Sequence, residues 1–122
     1  MRVDAYEFGR ITTDGVAYDH DVVIEGGKIR KRKKGPSKKR RDEFGHTPLT
    51  AAEAIPWSAK GLWIGTGAYG CLPVAEDVKK EALRRRVELL VKTTPELVKL
   101  INEALPADTK LMLLAPVVRW CP

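Results

Sequence analysis

The sequence predicts an α/β fold with a β-α-β-α-β carboxyl-terminal half and β-hairpins before it. Three observations carry that expectation. Residues 61–118 alternate short apolar runs with helical stretches. Asp14-Gly15 and Gly26-Gly27 punctuate β-branched runs in the first third. The chain has 122 residues, 43% of them hydrophobic and 31% charged, which is one domain's worth of core and excludes wholesale disorder. Residues 1–122 are therefore read as a single domain, with 28–45 as a basic strand and loop insertion.

The elements follow in order. Tyr6, Phe8 and Ile11 are apolar positions in a strand-like stretch, and a shift of apolar parity across Gly9 marks an expected bulge. Asp-Gly tolerates the positive φ values of a type I′ turn, so Asp14-Gly15 joins two strands as a hairpin. Val22-Val23-Ile24, Gly26-Gly27 and Lys28 to Arg32 read as a second hairpin. Residues 33–45 lack periodicity and contain Gly35-Pro36-Ser37, a loop signature. Thr50-Ala51-Ala52-Glu53 has capping-box spacing and predicts a short helix ending near Pro56.

Leu62-Trp63-Ile64 is a strand that runs into Gly65. Residues 74–86 predict a helix, with Glu76 and Asp77 in its first turn and Arg84, Arg85 and Arg86 in its last, matching the helix dipole. Val87 to Val91 is the next strand. Thr94 is read as the cap of a helix whose first position is Pro95. Leu97, Val98, Leu100, Ile101, Ala104 and Leu105 give that helix a buried face. Pro106 stops it, and Lys110 to Val118 is a nearly all-apolar strand covered on both faces. Right-handed crossovers make the three strands of this half parallel.

Charge is concentrated in one place. Net charge is +6, but residues 28–41 hold ten basic residues and no acidic one, leaving 12 basic and 16 acidic residues elsewhere. A basic segment on an acidic body attracts polyanions at one site. Arg30, Lys31, Arg32, Lys33, Lys34, Lys38, Lys39, Arg40 and Arg41 are the candidate polyanion contacts, expected to give weak, salt-dependent nucleic-acid contact. No aromatic interleaves them, so base stacking is not available. The plainer reading is a solvated edge strand whose lysines block edge-to-edge pairing.

In open α/β sheets, ligands bind beyond the carboxyl ends of the parallel strands. Gly65-Thr66-Gly67-Ala68-Tyr69-Gly70 matches GxGxxG at such an end. Leu72-Pro73 delays the next helix, so Gly70 cannot be the helix-packing glycine of a dinucleotide fold. No Lys-Ser/Thr pair follows, which excludes a triphosphate loop. Cys71 precedes a helix, where a thiol pKa falls, although a small buried thiol is the plainer reading. His46 follows the basic loop as a candidate base or anion contact, against the plainer reading of a structural histidine. In Asp19-His20-Asp21, neighbours on a strand point to opposite faces, so no metal site is expected. Cys71 and Cys121 form neither a disulfide framework nor a zinc motif. Trp57, Trp63 and Trp120 read as packing residues.

Four stretches in shared order resemble a known family. They are Phe8-Gly9-Arg10-Ile11 with Asp14-Gly15 and Tyr18 to Ile24; Gly45-His46-Thr47-Pro48-Leu49; Ile64-Gly65-Thr66-Gly67; and Val87-Glu88-Leu89 with Thr94, Asn102 and the apolar last strand. The family is a small bacterial and archaeal domain of unknown function, first seen structurally in a methanogen protein. It is shared with the adipogenesis-associated protein and the third assembly factor of mitochondrial respiratory complex I. The resemblance implies a three-layer fold with a mixed central sheet. It also implies a pocket near the glycine loop, to which His46 and Thr94 match positionally, and assembly or regulatory roles without an established activity. The dense basic stretch 30–41 and the ending Val118-Arg119-Trp120-Cys121 depart from the family pattern.

The leading expectation is a non-enzymatic binding or assembly-type module with protein partners and a pocket at Gly65, Thr66 and Gly67, lined also by His46, Cys71 and Thr94. One alternative is a small-molecule enzyme or an anion- or nucleotide-binding protein using the glycine loop, with His46, Thr66 and Cys71 as actors. Another is nucleic-acid contact through residues 28–41. No cofactor or metal is expected. The longest apolar run, Leu111 to Val118, is too short to span a bilayer, and Met1-Arg2-Val3-Asp4 has no apolar signal region, so a cytoplasmic location is expected.

Overall fold

The computed structural model describes residues 3–7, 10–25, 28–32, 49–67, 70, 72–106 and 108–114. Its elements are β1 (Val3–Glu7), β2 (Arg10–Thr13), β3 (Val16–Tyr18), β4 (Val22–Glu25), β5 (Lys28–Lys31), β6 (Gly61–Thr66), α1 (Glu76–Arg84), β7 (Glu88–Lys92), α2 (Thr94–Ala104) and β8 (Thr109–Leu114). Both hairpin families form. β1-β2-β3 is a separate antiparallel meander, whereas β4 and β5 join the main sheet, whose order is β5-β4-β8-β6-β7. β6 is parallel to both β7 and β8, as the β-α-β pattern requires, and β4 runs antiparallel to β8. The sheet is therefore mixed.

The β2–β3 turn takes the conformation its residues dictate. Asp14 has φ 47° and Gly15 φ 83°, both positive as a type I′ turn demands. The bulge expected at Gly9 lies outside the described residues. A register shift lies instead between Val3 and Ala5, and Asp4 there accepts a hydrogen bond from the Gly15 amide at 2.9 Å.

Side chains alternate across the central sheet with the period of two that a pleated strand imposes. On one face Val23, Leu62, Ile64 and Met112 pack with Val78 and Ala82 of α1 and with Leu49 and Ile55. On the other, Val22, Ile24, Leu111 and Leu113 pack with Leu97 and Ile101 of α2 and with Val3 and Ile11 of the meander. The result is three layers. Burial on both faces explains why β4, β6 and β8 read as continuous apolar runs. Asn102 of α2 ties the meander down: its side chain accepts from Val3 N at 3.0 Å and donates to Val3 O at 2.7 Å. Among the described residues, no helix is long and apolar enough to cross a membrane.

Three local expectations need correction. The helix expected at Thr50–Glu53 is a turn, closed by Glu53 N donating to Thr50 O at 3.3 Å, and the chain then runs on through short i→i−2 bonds at Ile55, Trp57 and Ala59. A helix of one turn before Pro56 gains too few bonds to repay its nucleation, and Glu53 is needed elsewhere. The helix at 74–86 is shorter, Glu76–Arg84. It ends because Arg86 enters the left-handed region at φ 57°, with Val87 N donating to Ala82 O and Arg86 N to Leu83 O. The cap of α2 is Thr93, not Thr94: Thr93 Oγ accepts from Glu96 N at 3.3 Å and donates to the Glu96 carboxylate at 2.8 Å.

Candidate functional site at the carboxyl-end rim of the sheet

The parallel strands β6, β7 and β8 end at Thr66, Lys92 and Leu114, on one rim of the sheet. β4 pairs Val22 with Leu113 and also with Lys31, so β4 begins and β5 ends at this same rim. One edge of the molecule thus gathers Asp21, Arg32, the Gly65-Thr66-Gly67 turn and the start of α2. Neighbouring strands lie about 4.8 Å apart, so the span from β4 to β6 is about 10 Å.

At one end of the rim the glycine turn is locked to α2. The Gly67 amide donates to Thr94 Oγ at 2.8 Å, and the Thr94 amide donates back to Gly67 O at 3.0 Å. Thr66 Oγ donates to Lys92 O at 3.0 Å, tying β6 to β7. A glycine is required at position 65 by proximity: a Cβ there would lie 2.8 Å from Thr94 Oγ and 3.1 Å from Thr94 Cα. Gly67, at φ 95°, then bends the chain away. Gly65 is therefore the helix-packing glycine, and its partner is α2 rather than the helix that follows the loop. Thr94 is wholly buried.

The N-terminus of α2 has no amide left over for an anion. Thr94 N is taken by Gly67 O, Pro95 has none, Glu96 N is held by Thr93 Oγ and Leu97 N by Thr93 O. At α1 the first turn carries Glu76 and Asp77, whose charge repels an anion.

At the other end of the rim sits an ion cluster that the sequence did not announce. The Arg32 guanidinium makes a fork with Glu53, Nε to Oε1 and Nη2 to Oε2, both at 2.7 Å, while Nη1 reaches Asp21 at 3.0 Å. The Arg32 and Glu53 side chains are each 2% exposed. Burial works against the Arg32 charge, but the Glu53 hydrogen bonds and charge, with Asp21 behind them, hold its pKa above the ordinary guanidinium value. Burial first and the Asp21 charge second push the Tyr6 phenol up to about 12, and its hydroxyl has no hydrogen-bond partner among the described residues.

Of the residues named from the sequence, Gly65, Thr66, Gly67 and Thr94 come together. His46 and Cys71 lie outside the described residues, as do Lys33, Lys34, Lys38, Lys39, Arg40 and Arg41. Arg32 is corrected: it is 4% exposed and committed to two carboxylates, so it is no polyanion contact. Arg30 is half spent, with Nε on Glu25 at 3.2 Å and Nη2 on Ala54 O at 2.6 Å. Lys31 is exposed. Asp21 and Glu53 were missed as a pair of carboxylates on Arg32. Glu53 fitted a capping box, and nothing local marks a partner 21 residues away. No group of three or more metal-ligating side chains occurs among the described residues.

No protein-family model and no curated protein matches the chain. Solved structures do. The conserved hypothetical protein PH1505 from Pyrococcus horikoshii OT3 is 30% identical, with a TM-score of 0.82, over 96% of this chain and 100% of that one. A protein named MT938 is 20% identical, with a TM-score of 0.68, over 95% and 98% of the two chains. An outer membrane protein from Bartonella henselae is 17% identical, with a TM-score of 0.63, over 93% and 92%. The last two likenesses bear on the fold alone.

Proposed function

This chain belongs to the family of the conserved hypothetical protein from Pyrococcus horikoshii, and from that footing we propose that it is a non-enzymatic binding module of the assembly type. Its binding end is the rim that carries Gly65, Thr66, Gly67 and Thr94. One observation carries this reading: among the described residues, the polar groups of the glycine turn and of the Arg32 cluster are spent on one another. The Thr94 hydroxyl holds Gly67, the Thr66 hydroxyl holds β7, and Arg32 is held by Glu53 and Asp21. Catalysis needs groups poised toward a substrate, whereas a docking end needs a rigid, preorganised surface. The resemblance to a family that includes a respiratory-complex assembly factor supports the same reading.

Two measurements test it together. Tagged protein at native abundance is expected to recover one partner at near-stoichiometric yield, and a thermal-shift screen against nucleotides and phosphorylated metabolites is expected to show nothing. A ligand at ~100 times its dissociation constant adds about 2.7 kcal/mol. A shift of that size without a recoverable partner would overturn the proposal in favour of a small-molecule site at the glycine loop, with Thr66, His46 and Cys71 as its candidates.

A further inference from the structure

We propose that β7 is a self-association edge, on which a second copy of this chain lays its own β7 antiparallel and joins two five-stranded sheets into one. β7 ends the order β5-β4-β8-β6-β7, with β6 as its strand neighbour among the described residues. One bond sets the direction of its backbone groups: Glu88 N donates to Lys60 O at 2.8 Å, on the β6 side. These groups alternate along a strand, so Glu88, Leu90 and Lys92 turn their amides and carbonyls toward β6, in register with its Gly61 to Gly65. Leu89 and Val91 turn theirs outward. Such a row of outward amides and carbonyls is a template for another strand.

Self-complementarity identifies the occupant. A two-fold axis through Leu90 sets Leu89 opposite the partner's Val91 and Glu88 opposite the partner's Lys92, and symmetry repeats both pairs. Leu89 and Val91 then form the hydrogen-bonded pair, which uses every outward amide and carbonyl of both. Glu88 and Lys92 fall at the non-hydrogen-bonded spacing of about 4.5 Å between Cα atoms, where cross-strand side chains meet most closely. Within one chain the same two groups lie about 13 Å apart along the strand. Both are exposed and neither has an ion-pair partner among the described residues. Val91, which the partner's Leu89 would face, is an exposed apolar side chain. Other registers fail. Centring on Leu89 recruits Val87, whose amide is held by Ala82 O, and centring on Val91 recruits Thr93, whose carbonyl already accepts from Leu97 N. Neither sets Glu88 against Lys92. The opposite edge, Lys28-Ile29-Arg30-Lys31, cannot pair with itself without facing cation against cation.

An interface built on one strand is small, so the dimer is reversible, and the test is sedimentation velocity of the full chain from about 5 to 500 μM. A species of twice the chain mass is expected to grow with concentration. Glu88→Lys and Lys92→Glu each replace two attractive pairs by two repulsive ones and are expected to weaken the dimer on the order of 10–100-fold. Mixing the two variants restores opposite charges at both contacts, as does Glu88→Lys/Lys92→Glu in one chain, and each is expected to recover dimerisation. Both side chains are exposed, and a cooperative melt at the lowest concentration confirms that each variant is folded. In hydrogen exchange the Leu89 and Val91 amides are expected to gain protection with concentration, whereas the outward amides of Ile29 and Lys31 on β5 do not. A monomer at every concentration overturns the proposal and leaves the edge to a strand of another protein. A dimer that either single exchange leaves intact, or that the mixture fails to restore, overturns it as well. So does full protection of Leu89 and Val91 in the monomer, which would show the edge covered within one chain.

Discussion

Replacing Gly65 by alanine asks how rigidly β6 is locked to α2. The added methyl would sit 2.8 Å from Thr94 Oγ, 3.1 Å from Thr94 Cα and 3.3 Å from Thr94 Cβ. Comfortable carbon contacts begin near 3.5 Å. Thr94 has little freedom to yield. Its amide and hydroxyl are both bonded to Gly67, and it begins a helix whose Leu97 and Ile101 are buried. Overpacking of this kind costs about 1–3 kcal/mol. If the hydroxyl is pushed away, the buried Gly67 amide loses its acceptor at a further cost of about 1–3 kcal/mol. Against this, alanine restricts the unfolded chain and returns about 0.4–1 kcal/mol. The net expectation is a loss of about 2–4 kcal/mol, read as a fall on the order of 1–2 M in the urea midpoint with an unchanged m-value. A second variant separates the clash from a general packing defect. Thr94→Ala removes the nearest atom, so Gly65→Ala/Thr94→Ala should cost less than the sum of the single changes, whereas Thr94→Ser keeps the hydroxyl and gives no such relief. A loss below about 0.5 kcal/mol for Gly65→Ala, or strict additivity with Thr94→Ala, refutes the argument.

Three further expectations concern other parts of the molecule. Arg32→Met strands the buried Glu53 carboxylate and should cost about 3–5 kcal/mol, whereas Arg32→Met/Glu53→Leu should recover much of that in the same urea titration. Arg86 holds a left-handed φ of 57° at the end of α1, so Arg86→Gly should raise stability by about 0.5–1 kcal/mol and the melting temperature by a few degrees. Hydrogen bonds from Arg84 and Arg85 hold the Glu81 carboxyl down to about 2. Because the folded-state pKa is depressed, the stability from this pair is present above the ordinary carboxylate value and is lost as pH falls from about 4.5 through 2. A side-chain carboxyl NMR titration of Glu81 with an ordinary midpoint would contradict that.

The local pattern of the chain carried much of the fold. Asp14-Gly15 specified its turn because few residue pairs accept two positive φ values in succession. The apolar face of α2 was visible as Leu97 and Ile101 one turn apart. The candidate site was half legible. Gly65, Thr66, Gly67 and Thr94 were recognisable from their place at strand ends, but their partnership was not. Reading Thr94 as a cap missed by one residue, and that residue matters: with Thr93 capping the helix, the Thr94 hydroxyl is free of that duty and turns to Gly67. The capping-box spacing at Thr50–Glu53 misled for a related reason. A local bond that would stabilise one helical turn lost to a buried fork with Arg32.

Taken alone, the amino-acid order determined the strands and the two helices of the sheet (though not the turn at Thr50–Glu53), the parallel setting of β6, β7 and β8, and the packing of charge into residues 28–41. These follow from period, turn chemistry and crossover handedness, which act over a few residues or through a general rule of chirality. Tertiary structure alone decided that β4 would bring Asp21 and Arg32 to the rim holding the glycine turn, and that among the described cations Arg30 and Arg32 are neutralised while Lys28 and Lys31 face water. Pairings across 21 or 99 residues leave no periodic trace in a sequence, because they are chosen by which strand edges and faces meet when the core closes.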